Sequence, residues 1–101
     1  MAIPNSIIKQ PFEEYTITAD FSTQIPGGET LASATVSATN IETSVVDNTV
    51  ITSTTATIAS PNASIGVLGG TTNTNYKIEF RGTTNTNKKF EKDILMYVRN
   101  L

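Results

Sequence analysis

The sequence contains no cysteine, no histidine and no tryptophan, and its only aromatic residues are three tyrosines and four phenylalanines. Without histidine or cysteine, the chain lacks the usual ligands of nitrogen–sulfur zinc sites and the base of Ser-His-Asp and Cys-His catalysis. No apolar run approaches the roughly 20 residues of a membrane span, and no signal peptide is visible. We therefore expect a non-enzymatic, cytoplasmically made protein that needs no cofactor, metal, membrane or small-molecule substrate.

The charge balance argues against nucleic acid as a partner. The formal net charge is −2, whereas phosphate binding requires a clustered positive field. The charges are unevenly placed, because six of the seven basic residues fall in the last quarter and six of the nine acidic residues precede them. These charges either alternate on solvent faces or form an acidic end that meets a basic end of a neighbouring subunit.

What the sequence does contain is an alternation of apolar and polar residues with a period of two. Segment 76–82 alternates apolar with charged residues, and the same hexapeptide, Gly-Thr-Thr-Asn-Thr-Asn, occupies 70–75 and 82–87 on either side of it. This pattern predicts a half-buried strand over 76–82 between two polar loops.

The rest of the chain repeats this alternation and shows no helical period. We expect a short strand or crossing segment in 40–48, and clearer strands at 15–21, 31–39 (with Ala32 inward), 49–59, 64–68, 76–82 and 88–99. This pattern predicts an all-β, immunoglobulin-like antiparallel β-sandwich of about seven strands. The predicted domain covers residues 13–101. Residues 1–12 form a flexible or docking arm, because Pro4 and Pro11 interrupt ladder pairing.

Three apolar residues of this arm are candidate interface residues. Ile3, Ile7 and Ile8 are costly to leave in water. The arm either docks on a neighbouring subunit by strand addition or packs back on its own domain.

Two tyrosines are further candidates for a special role. Tyr76 begins its strand after a glycine-rich loop, which is the position of a tyrosine corner, although a plain inward aromatic is the alternative. Tyr97 is the one aromatic residue that we expect on an outer face. Together with the Thr/Asn loops, it suggests a surface-displayed carbohydrate- or receptor-binding module as an alternative function.

Several short motifs resemble those of small structural proteins of tailed bacteriophages and prophages. These are Phe12-Glu13-Glu14-Tyr15, Asp20-Phe21-Ser22, Gly28-Glu29-Thr30-Leu31, Gly69-Gly70-Thr71, Tyr76-Lys77-Ile78 and Thr83-Thr84. This chain has Asn85-Thr86-Asn87 in place of the usual Ser-Gly after the second Thr-Thr. The resemblance implies a virion protein, synthesised in the host cytoplasm, with an immunoglobulin-like fold and no catalytic residues. Its implied role is that of a head–tail or tail component that contacts other virion proteins or its own copies.

Overall fold

A computed structural model describes residues 5–101, and Ile3 therefore lies outside the described residues. Eight strands follow one another within this range, with a 3₁₀ turn at Asn48–Val50 between the fourth and the fifth. The strands are β1 (Asn5–Lys9), β2 (Tyr15–Asp20), β3 (Leu31–Asn40), β4 (Val45–Val46), β5 (Thr57–Ala59), β6 (Asn62–Val67), β7 (Thr74–Thr84) and β8 (Lys89–Val98).

The strands form two sheets. The larger sheet has the order β1-β8-β7-β3-β4 and the smaller one β2-β6-β5. All strand pairs are antiparallel except β1 with β8, which are parallel. The prediction of an all-β fold is confirmed, and the two sheets are consistent with a β-sandwich. The immunoglobulin-like connectivity stays a prediction.

The core is formed by alternate residues of the long strands. In β7, Tyr76, Ile78 and Phe80 are buried, whereas the charged residues between them lie on the outer face. The inward residues of β2, β3, β6 and β8 join them in one apolar cluster. Burial of each large side chain contributes about 1.5–3 kcal/mol, so this alternation fixes which face of each strand points inward.

The predicted strand over 49–59 is wrong. Ile51 forms a bridge with Val67, Thr55 forms a bridge with Thr35, and only 57–59 make a regular strand. The two faces of this segment are similarly apolar, so burial does not fix one register. The middle of the segment pairs with β3 of the larger sheet, and its two ends pair with β6 of the smaller sheet.

The two copies of the hexapeptide are not simple loops. Strand β7 is longer than predicted and takes in residues of both copies. Asn73 of the first copy and Asn87 of the second have positive φ, both 65°, a conformation that asparagine tolerates better than most residues. The repeated sequence thus supplies a turn residue at each end of β7, but at different positions in the repeat.

Ala32 is exposed, contrary to the prediction that it points inward. The pairing of β3 with β7 shifts register between Leu31 and Ser33. This irregularity turns Leu31 into the core in place of its neighbour, as expected where a bulge adds one residue to a strand.

The molecule measures 43 × 25 × 21 Å and has two unlike ends. Strands β1, β3 and β8 all run toward one end. We call this the apolar end, and it comprises the turn at 10–14, the turn at 41–44, the loop at 68–73 and residues 99–101. The polar end comprises the loop at 21–30, the turn at 60–61 and the turn at 85–88.

Candidate docking surface

The large apolar side chains that remain exposed gather at the apolar end and on the adjoining edge strands. They are Ile8, Phe12, Tyr15, Ile41, Val45, Val46 and Leu101. Within residues 5–101, none of these exposed side chains belongs to the polar end. Single exposed apolar residues are ordinary, but their concentration at one end is typical of a surface that contacts another protein.

Phe12 is the most exposed of these side chains, with 95% of its surface accessible. It occupies the third position of a tight turn that the Glu13 amide closes by donating to the Gln10 carbonyl at 3.0 Å. Pro11 fixes φ at the second position. The Gln10 amide in turn donates to the Glu13 carboxylate at 2.6 Å. The aromatic ring is therefore held outward at the tip of an ordered turn.

A buried lysine holds this turn in place. The Lys9 side chain is fully buried, and its ammonium donates to the carbonyl oxygens of Gly69 at 2.6 Å, Gln10 at 2.8 Å and Pro11 at 3.4 Å. Burial lowers the pKa of Lys9, whereas two nearby carboxylates act in the opposite direction. Lys9 therefore ties the end of β1 and the Phe12 turn to the loop that follows β6.

An open groove of about 710 Å³ lies beside the turn. It is lined by Pro11, Phe12, Glu13, Glu14, Tyr15, Leu68 and Gly69. Burial and the Glu13 carboxylate raise the pKa of Tyr15. Glu13 and Glu14 are exposed, and neither takes part in the ion pairs found among residues 5–101. The groove thus combines apolar walls with two carboxylates that carry no salt bridge within the described part of the chain.

The two described isoleucines that were predicted at the interface differ in their exposure. Ile7 is half-buried and packs against the core, whereas Ile8 is 63% exposed on the outer face of the larger sheet. Strand β1 pairs with β8 of its own chain. Of the two described members of this set, Ile7 and Ile8, it is Ile8 that the structure presents to solvent. An interface role for the three isoleucines stays a prediction.

Tyr76 is buried at the beginning of β7, and its hydroxyl accepts a hydrogen bond from the Thr71 amide at 3.1 Å. A tyrosine corner makes the same kind of bond to backbone a few residues upstream. The bond holds the loop before β7 against the strand, and the tyrosine-corner assignment stays a prediction.

Tyr97 is half-buried on the outer face of the larger sheet, in register with Ile8. The Arg99 guanidinium lies 5.7 Å from its ring centroid. A groove of about 330 Å³ lined mainly by hydroxyls, with Thr16, Thr57 and Ser64 among them, lies on the smaller sheet. Tyr97 and the hydroxyl-lined groove are therefore not brought together, although a sugar site would combine them.

The same outer face carries a compact set of charges. Glu79 pairs with Lys77 at 2.8 Å, and Arg81 pairs with Glu91 at 3.2 Å. Carboxylate oxygens of Glu79, Glu91 and Asp93 lie within 4.8 Å of one another. Lys77 and Arg81 already neutralise two of the three carboxylates. Asp93 is the exception, because its buried Oδ1 has no hydrogen-bond partner among residues 5–101.

Replacing Asp93 with asparagine is expected to raise stability at pH 7 and to flatten its pH dependence. Burial, followed by the charge of Glu91, raises the pKa of Asp93 to about 6. A raised pKa means that the folded state favours the protonated form. The contribution of Asp93 to the free energy of unfolding is therefore fully present below its unfolded-state pKa of 3.8. This contribution is lost as the pH rises through about 6. The gain at pH 7 should stay below about 1 kcal/mol because solvent screens this face.

Thermal unfolding at pH 4.5, 6 and 7.5 tests this expectation. Glu42→Gln is the control, since it removes an exposed carboxylate in the turn at 41–44 and leaves Asp93 and its charged neighbours in place. An equal pH dependence in Asp93→Asn and in the unmodified chain would contradict the assignment.

At the polar end, the carboxylate of Glu29 is the centre of a hydrogen-bond network. Glu29 accepts hydrogen bonds from the hydroxyls of Thr84 and Thr86 and pairs with the Lys88 ammonium at 2.7 Å. The Lys88 bond is the main cause of the lowered pKa of Glu29. Thr30 and Asn85 add a reciprocal pair of hydrogen bonds. This end presents ordered polar groups where the other end presents apolar ones.

The sequence did not single out Lys9 or Phe12 as site residues. Phe12 follows Pro11 directly, and a proline in a turn is a signal that the next side chain projects from it. Nothing in the sequence distinguishes Lys9 from a surface lysine, because its environment is created by Gly69, which is 60 residues away.

None of the helical structure in residues 5–101 has the length and apolarity that a membrane crossing requires. Residues 9–97 match the family model of the podophage GP4 fiber-tail adaptor protein gp77. The matched range contains Lys9, the Phe12 turn and the adjoining groove. A search of curated proteins finds no match.

Proposed function

The chain belongs to the podophage GP4 fiber-tail adaptor family, and on that premise we propose that it is a non-enzymatic tail component that joins neighbouring virion proteins through protein–protein contacts. Membership confirms the predicted resemblance to small structural proteins of tailed phages, and it supports a structural role in the tail. Our finer proposal is that this chain itself bridges two different neighbours.

The observation that carries this proposal is the difference between the two ends of a 43 Å long molecule. A bridging protein needs two surfaces that do not compete for the same partner. The apolar end offers Phe12 and its groove. The polar end offers the hydrogen-bonded network around Glu29. Surfaces of such different chemistry suit two different neighbours.

Quantitative mass spectrometry of purified particles tests the proposed function. We expect the chain in a fixed ratio to the tail proteins, and we expect it to be absent from tailless heads isolated from the same lysate. Abundance in the lysate together with absence from the particles would contradict a structural role.

A further inference from the structure

We propose that Phe12 is a preformed docking knob that enters an apolar pocket of a neighbouring virion protein. Glu13 and Glu14 flank the knob and bind lysine or arginine side chains at the rim of that pocket. This inference rests on the proposed function, because it names the chemistry of one of the two neighbours.

The first argument is exposure. Phe12 is 95% accessible and forms one wall of the groove that also contains Tyr15 and Leu68. A phenylalanine has one of the largest apolar surfaces that a partner can remove from water. The groove beside it offers an apolar floor on which the partner can continue the contact.

The second argument is rigidity. The Phe12 turn is closed by a backbone hydrogen bond between Glu13 and Gln10 and by the Glu13 carboxylate on the Gln10 amide. The buried Lys9 ammonium also stabilises the turn by donating hydrogen bonds to the carbonyl oxygens of Gln10 and Pro11. A side chain presented by an ordered turn loses less conformational freedom when it is bound, which favours its use as an anchor.

The third argument is charge, and it determines the chemistry of the partner. The Lys9 ammonium lies beneath the surface and is already surrounded by carbonyl oxygens. A partner therefore meets the carboxylates of Glu13 and Glu14. Basic side chains at the rim of the partner's pocket would complement them. A second copy docked through the same surface would oppose these carboxylates to themselves, which disfavours a two-fold contact between copies. The partner that we propose is therefore a different protein.

Site-specific photo-crosslinking in assembled particles tests this surface. The photoreactive residue p-benzoylphenylalanine would replace Phe12 in one variant, and in a control variant it would replace Thr23, an exposed residue of the polar end. Irradiated particles would be digested, and the crosslinked peptides identified by mass spectrometry. We expect the position 12 adduct on an apolar segment of another virion protein that has lysine or arginine within a few residues.

The outcomes separate this inference from the proposed function. A position 12 adduct on a segment without basic residues, or on a second copy of this chain, would overturn the inference. Adducts from position 23 alone would also overturn it, while a structural role in the particle would stand. Absence of the unmodified chain from the particles would instead contradict the proposed function.

Charge reversal provides the matched comparison. Glu14→Lys, which leaves the Glu13 carboxylate on the Gln10 amide, should reduce the yield of the position 12 adduct at least fivefold. Glu42→Lys reverses an exposed carboxylate in the turn at 41–44 of the same end and should leave the yield unchanged. Equal yields in Glu14→Lys and in the Glu42 control would show that the acidic side chains beside Phe12 do not select the partner.

Discussion

Replacing Lys9 with methionine is expected to lower the free energy of unfolding by about 2–4 kcal/mol. The apolar part of the side chain is preserved, but the carbonyl oxygens of Gln10, Pro11 and Gly69 lose the ammonium that donates to them. These half-buried acceptors retain part of their desolvation cost when they lose the donor. For a domain of this size, the melting temperature should fall by about 10–20 °C.

Lys77→Met is the control for this measurement. Lys77 lies on the outer face, where it is 38% exposed and pairs with Glu79, and an exposed pair of this kind contributes less than about 1 kcal/mol. Chemical denaturation of both variants gives the comparison. Similar losses of unfolding free energy in Lys9→Met and Lys77→Met would contradict the conclusion that the Lys9 side chain stabilises the Phe12 turn.

Replacing Phe12 with serine is expected to leave the fold intact and to reduce the number of copies per particle at least tenfold. The side chain is almost fully exposed, so the change in folding stability should stay within about 0.5 kcal/mol. Loss of an anchor at an interface typically costs 2 kcal/mol or more, which corresponds to roughly a thirtyfold weaker affinity. Thermal unfolding and mass spectrometry of particles measure the two effects separately.

The matched control for this substitution is Val45→Ser. Val45 is also an exposed apolar residue, at 60%, but it lies on β4 at the opposite edge of the larger sheet. It should reduce the copy number less than Phe12→Ser does. An unchanged copy number in Phe12→Ser would show that the knob is not used in assembly.

The strands that follow a strict period of two were predictable from sequence. In β2 and in residues 76–81 of β7, apolar and polar residues alternate without interruption, so burial leaves one choice of inward face. Strand β8 alternates less cleanly, because residues 91–93 are all charged and residues 94–98 are all apolar or aromatic. The predicted inward residues Ile94, Met96 and Val98 are all buried. The all-β class and the family resemblance followed from such segments and from the motifs between them.

The segments that the sequence did not predict correctly are those in which distant contacts decide the structure. Segment 49–59 changes partner between the two sheets because neither of its faces is clearly apolar. Packing of the arm on its own domain was one of its two predicted alternatives, but the parallel pairing of residues 5–9 with β8 was not predicted. Parallel pairing between segments more than 80 residues apart has no local sequence pattern from which it could be predicted.

The same explanation applies to the docking surface. The exposure of Phe12 depends on a turn that Lys9 stabilises, and the position of Lys9 depends on Gly69. The motif Phe12-Glu13-Glu14-Tyr15 contributed to the family resemblance, but it did not indicate which of its side chains would be exposed. A surface formed by two segments that lie far apart in the sequence, residues 9–15 and 68–69, can be recognised only once the strands are placed.

A cryo-electron microscopy reconstruction of the assembled tail tests the central claim most directly. The account predicts that each copy of this chain lies between two different proteins, with Phe12 enclosed in an apolar pocket of one of them and the polar end facing the other. A reconstruction in which Phe12 faces solvent, or in which a single neighbour contacts the chain, would contradict it.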